Sequence, residues 1–147
     1  ATADMTTKAG DDYAARVYLS FRIAPEALGL GTRAKLALAR SIYGDQVPDA
    51  ALNYVWDNRQ PVGTVMPNAY TDRTRMVVLR SGAGDAGGWV MERRDVAEDF
   101  ERAFGALPAQ LSGIALASDT DNTGESARAG FAEFRFVSRE EACVGPD

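Results

Sequence analysis

Between Ala15 and Ile23 the chain alternates with period two. Ala15, Val17, Leu19, Phe21 and Ile23 fall on one face, and Arg16, Tyr18, Ser20 and Arg22 on the other. Only an extended strand sends every second side chain to the same side, so this run predicts a strand with one buried and one polar face. Pro25 and Gly29 break it, and the remaining elements have to be fitted around it.

Thr32 can cap a helix running through Tyr43, with Ala34, Leu36, Leu38 and Ile42 as a rough apolar side and Gly44 as its stop. Ala51–Trp56 reads as a second strand, and Pro61, Gly63 and Pro67 mark a broken, edge-like segment. Arg75–Arg80 is almost continuously apolar, which predicts a strand covered on both sides. After a turn carrying Gly82, Gly84, Gly87 and Gly88, a short strand is expected at Trp89–Glu92. Asp95 caps a second helix in which Val96, Phe100 and Phe104 share a face, closed by Gly105 and Pro108. Leu111–Ala117 predicts a small-residue strand leading into a polar loop, Ser118–Gly124. Arg128–Val137 predicts a last strand, with Phe131 opposite Phe134 and Phe136. There is no internal repeat and no linker.

Five or six strands with turns between them and two short helices predict a mainly β chain. The expectation is one antiparallel β-sandwich domain over residues 1–147, with the helices as insertions outside it. Val17, Leu19, Phe21, Val77, Leu79, Ile114, Leu116 and Phe134 are its expected core.

Composition mainly removes hypotheses. With 147 residues, 46% of them hydrophobic and 25% charged, the chain can bury a core and is not disordered by composition. A net charge of −5 repels nucleic-acid phosphates and anionic lipid, and no contiguous Lys/Arg block offsets it, so no nucleic-acid partner is expected. Apolar runs are only a few residues long, so no transmembrane segment is expected. Histidine is absent, which excludes Ser-His-Asp and Cys-His relays and imidazole acid–base work. One cysteine, Cys143, cannot make an internal disulfide or complete a zinc site. Carboxylates, lysines, tyrosines and a hard-cation site remain.

In order along the chain stand Gly10-Asp11-Asp12-Tyr13-Ala14-Ala15-Arg16-Val17-Tyr18, Ala51-Leu52-Asn53-Tyr54-Val55-Trp56, Tyr70-Thr71-Asp72, Trp89-Val90 with Arg94-Asp95-Val96, and Asp119-Thr120-Asp121-Asn122-Thr123-Gly124. This combination resembles the bacterial family called domain of unknown function 3047. The resemblance implies an exported protein, periplasmic or extracellular, with a jelly-roll sandwich similar to galactose-binding-like and carbohydrate-binding modules. It implies no activity. Family members carry further β-rich sequence before the Gly-Asp-Asp motif that is almost absent here. The expectation is therefore that an N-terminal segment, a second copy or a partner subunit completes the sheet.

Three constellations carry chemistry. Asp119, Asp121, Asn122 and Glu125 offer clustered oxygen ligands beside Gly124, a pattern that suits calcium. The loop departs from the EF-hand pattern, and it also reads as a turn whose carboxylates cap backbone amides. Asp11 and Asp12 are adjacent, so at most one can share a site with Asp119 or Asp121; the other reading is an aspartate paired to Arg16. Finally, Arg16, Tyr18, Asn53 and Arg75 are candidate ligand-binding residues, Tyr supplying a flat ring and Asn and Arg hydrogen bonds to a sugar ring or a protein partner. Tyr54 and Trp56 share the apolar face of their strand and are read as core. These features suit a non-catalytic binding or accessory domain for a carbohydrate-like ligand or a protein. The alternatives are a structural subunit of a larger periplasmic or membrane-associated assembly, and a carboxylate-dependent hydrolase.

Overall fold

The computed structural model describes residues 3–141; Cys143 lies outside them. Strand β1 (Arg16–Ile23) forms where the alternation places it. It pairs antiparallel with β2 (Ala50–Asp57) on one side and with β5 (Ala109–Ala117) on the other. Strand β4 (Thr74–Ser81) runs parallel to β2, and the short β3 (Val65–Pro67) pairs antiparallel with β4 at the far edge. The result is one open, mixed sheet in the order β3-β4-β2-β1-β5. Two helices accompany it, α1 (Leu30–Tyr43) and α2 (Val96–Phe104).

Each face of the sheet has its own cover. On one face, Leu19, Phe21 and Ile23 of β1, Leu52 and Tyr54 of β2 and Val77 of β4 pack against Phe100 of α2. The Phe21 and Phe100 rings lie 4.6 Å apart. Asp95 caps α2 as expected, its side chain accepting from the Glu98 amide. One turn further on, buried Asp99 accepts from the Tyr54 hydroxyl at 2.7 Å and from two nitrogens of Arg94. This bridge fixes the helix over β2 while satisfying a buried charge. On the other face, Met5 and Tyr13 from the polar lead cover Val55, Met76 and Val78.

Several expectations are corrected by this arrangement. The described residues form a single sheet, and α2 supplies the covering layer where a second sheet was expected. Pairing of β2 with β4 is parallel, which agrees with the burial of Met76, Val77 and Val78 on both faces. Helix α1 starts at Leu30, with Gly29 at its N-cap, so Thr32 lies inside the first turn and caps nothing. Trp89–Glu92 and Arg128–Val137 form no strand. Glu133 has φ 56°, in the left-handed region, which breaks extended backbone between Phe131 and Phe134. Phe134 is accordingly 48% exposed.

Ile114 and Leu116 are not core either, at 44% and 46% exposed. They do point to the helix-covered side, since they pair with Leu19 and Val17. The nine residues of α2 span about 13.5 Å, whereas four inter-strand spacings span about 19 Å, so the helix cannot roof the whole sheet. It sits over β2; of β5 only Ala109 packs against this core, and residues 110–116 are left exposed. Val17 and Leu79 lie half-buried at the margin of the same core.

Removing the ring that joins the two layers should be costly. Phe100→Ala is expected to destabilise the fold by about 3–5 kcal/mol in chemical denaturation, as large-to-small changes in packed cores do. A loss below about 1 kcal/mol would contradict the two-layer description.

Candidate functional site

The motifs Gly10-Asp11-Asp12 and Asp119–Gly124, which lie far apart in sequence, meet at one end of β1. Gly10 permits the approach: a Cβ there would lie 2.3 Å from the Asp4 carbonyl oxygen, so only glycine fits. The backbone then delivers Asp12 to the loop after β5. Its Oδ1 accepts from the backbone and side-chain nitrogens of Asn122, at 3.1 and 2.9 Å. Its Oδ2 accepts from the backbone nitrogen and hydroxyl of Thr123, at 2.7 and 2.6 Å. The Asp119 amide donates to the Tyr13 carbonyl at 3.1 Å, adding a backbone tie.

Arg16 is the second centre. It is 3% exposed, and its guanidinium lies 4.6 Å from the centre of the Tyr13 ring. Its Nη1 donates to the Tyr18 hydroxyl at 2.9 Å and sits 3.5 Å from Asp11 Oδ2. Its Nη2 donates to the Asp11 carbonyl and lies 3.3 Å from Asp119 Oδ2. A buried cation is thus held by two carboxylates, a carbonyl, a hydroxyl and a ring, as buried charge requires. Asn68 donates weakly to the Asp11 carboxylate at 3.4 Å, and Tyr70 donates to the Lys8 carbonyl at 3.2 Å and to Asn122 Oδ1 at 3.4 Å.

The electrostatics divide the adjacent aspartates. Burial pushes the Asp11 carboxyl up, against the pull of Arg16 and Asn68. Burial also works against the Asp12 charge, but the hydrogen bonds from Thr123 and Asn122 outweigh it and bring the carboxyl down to about 2. The hydrogen bond and charge of Asp119 push Asp121 up.

Of the four candidate ligand-binding residues, three share one face: Arg16 and Tyr18 on β1, and Asn53 on β2 directly opposite Tyr18. Arg75 points to the other face, where its guanidinium lies 5.8 Å from the Phe104 ring. Asn53 is fully buried; its amide nitrogen contacts the Met76 sulfur at 3.5 Å, and its Oδ1 has no partner. Tyr54 is core, while Trp56 is half-buried and donates to the Gly82 carbonyl.

Of the four candidate metal ligands, Asp119 and Asp121 come together, and the third carboxylate within 4.8 Å of them is Asp12. Asn122 turns its oxygen to Tyr70 and its nitrogen to Asp12 instead. Glu125 lines, with Asp12 and Asp119, a cleft of about 150 Å³ beside the triad. Of the adjacent pair, then, Asp12 joins the acidic loop and Asp11 pairs with Arg16. Sequence pattern alone gives no role to Tyr13, Asn68 or Thr123. Tyr13 lies outside the alternating run and Asn68 in an aperiodic loop, so neither carried a periodic signal; Thr123 sat in view inside the polar loop.

The geometry defines an open mixed sheet, helix-covered on one face, in which a buried carboxylate–guanidinium cluster joins the segment before β1 to the loop after β5. Residues 1–135 match the family described as protein of unknown function (DUF3047), and the chain belongs to that family. No curated protein and no solved structure matches it.

The low Asp12 value carries a sign. Its stabilisation is fully present above the ordinary carboxyl range, near pH ~4, and is lost as pH falls toward about 2. Asp12→Ala should cost roughly 2–4 kcal/mol at pH 7 by leaving four donors without their charged acceptor. It should also flatten stability across that acid window. Unchanged acid unfolding in the variant would contradict the assignment.

Proposed function

We propose that this chain is a non-catalytic binding or accessory domain that receives an extended strand from a protein partner along β5. One observation carries the reading. β5 is a nine-residue strand with no charged residue, and among the described residues it is an edge strand paired on one side only. Its Leu111, Ile114 and Leu116 are 37–46% exposed on the side that elsewhere forms the core. The register shift opposite Ser20 and Phe21 keeps Leu111 on that side. An incoming strand would satisfy the outer backbone groups and lay alternate side chains beside those three. Completion of a jelly-roll sandwich by such strands belongs to the same proposal, as does a structural role in a larger assembly.

Between the two ligand classes, burial favours protein. Arg16 and Asn53 are 3% and 0% exposed beneath the N-terminal segment, so a sugar ring has no access to them. A carboxylate-dependent hydrolase is less well supported, since both Asp12 oxygens are already taken by hydrogen bonds. The periplasmic or extracellular setting is part of this proposal and rests on the family resemblance. No described helix is long and apolar enough to cross a membrane.

A second reading concerns the triad of Asp12, Asp119 and Asp121: Asp119 and Asp121 would supply the oxygens that hold calcium, and Asp12, whose two oxygens already accept hydrogen bonds, would add its charge. Millimolar calcium should then raise the melting temperature, chelator should reverse it, and Asp121→Asn should abolish the response. No shift would leave the triad as a hydrogen-bonded clasp alone.

For the edge, the purified chain should self-associate or capture a synthetic apolar strand peptide in light scattering and pull-down. Ile114→Lys should abolish this while changing stability by less than about 0.5 kcal/mol, because the site is exposed. Association that survives the lysine would contradict strand addition at β5.

A further inference from the structure

Helix α1 turns its apolar side away from the protein. Leu36 is its buried residue and marks the inward side. At about 100° per residue, Leu30, Ala34, Leu38 and Ile42 form a stripe on the opposite side. Leu30, Leu38 and Ile42 are 81%, 63% and 64% exposed. The same geometry places Lys35 at one border of the stripe and the exposed Arg33 beyond Ala37 on the other side, where it also lines a shallow cleft with Leu36 and Arg40.

Charge says what can cover this face. From Ala27 to Gly44 there is no acidic residue, while three cations, Arg33, Lys35 and Arg40, lie on α1. Arg40 turns inward to the Asp49 carboxylate at 2.6 Å and the Val47 carbonyl. Arg33 and Lys35 enter no ion pair among the described residues. Pairing of two α1 helices would set cation against cation with no acid to offset them, so a second copy is a poor occupant. The face calls for an apolar layer with negative charge just above it.

An anionic bilayer has that layering, with acyl chains below and phosphates above. Long cationic side chains flanking an apolar stripe can reach the phosphates while the stripe enters the boundary. The chain's net charge of −5 already includes the three cations of α1, so its acidic excess lies entirely outside this element. We infer that α1 is a peripheral docking element for an anionic membrane surface. A stripe of three large side chains gives reversible binding, independent of strand addition at β5.

The test is vesicle co-sedimentation of the full chain, with equal parts phosphatidylcholine and phosphatidylglycerol against phosphatidylcholine alone, at low and high salt. The wild type should bind the anionic vesicles, weaken with salt, and ignore the neutral ones. Arg33→Gln with Lys35→Gln should weaken binding roughly thirtyfold, from about 1 kcal/mol per cation near such a surface. Leu38→Gln with Ile42→Gln should weaken it at least about tenfold. All four positions are exposed, so circular dichroism and the melting temperature should match wild type. The salt dependence of wild type needs no variant. Equal binding to both vesicles, or variants that bind like wild type, would overturn the inference. So would a wild type that ignores vesicles but binds an acidic amphipathic peptide, which would assign the face to a protein.

Discussion

Arg16 is a charge that the fold has placed almost out of reach of water, and much of the surrounding structure answers to it. A buried guanidinium is tolerable only with close counter-charges and acceptors. Asp11, Asp119, Tyr18 and the face of Tyr13 supply them. Two of these groups belong to the N-terminal segment, one to β1 and one to the loop after β5. Asp12 extends the arrangement by accepting four hydrogen bonds from Asn122 and Thr123. One polar cluster therefore ties both flanks of the chain to the sheet, and in doing so lays Met5 and Tyr13 over Val55, Met76 and Val78.

Where local pattern and tertiary demand agree, the sequence is legible. Period-two alternation places β1, the apolar run of 75–80 places β4 between neighbours, and Asp95 marks the start of α2. Failures occur where the answer depends on what lies next to a segment. Ile114 and Leu116 point to the core side, as their residue types suggest, but α2 is too short to reach them. Residues 128–137 alternate like a strand, yet they pair with no strand of the sheet, and Glu133 leaves the extended region altogether. The polar lead holds only isolated apolar residues, so periodicity could not show Met5 and Tyr13 as a layer. At the site, Asp12 accepts hydrogen bonds from the acidic loop directly, while Asp11 reaches Asp119 only through the Arg16 guanidinium, a division that depends on tertiary contacts rather than on adjacency.

The same partial coverage leaves two apolar surfaces of different kinds. Among the described residues the outer edge of β5 pairs with no strand and carries no charge, which suits another strand. The outer face of α1 has satisfied backbone groups and flanking cations, which suits an apolar layer with negative charge. Neither involves the buried cluster, whose contacts lie in the segment before β1, on β1 and in the loop after β5.

Native-state hydrogen exchange tests the clasp most directly. The amides of Asp119, Asn122 and Thr123 donate to Tyr13 and Asp12, so they should exchange only with openings nearly as costly as those that expose the β2 core amides. Fast exchange at these three amides, with β1 and β2 still protected, would show that the chain's flanks open freely and that the cluster does not hold the fold together.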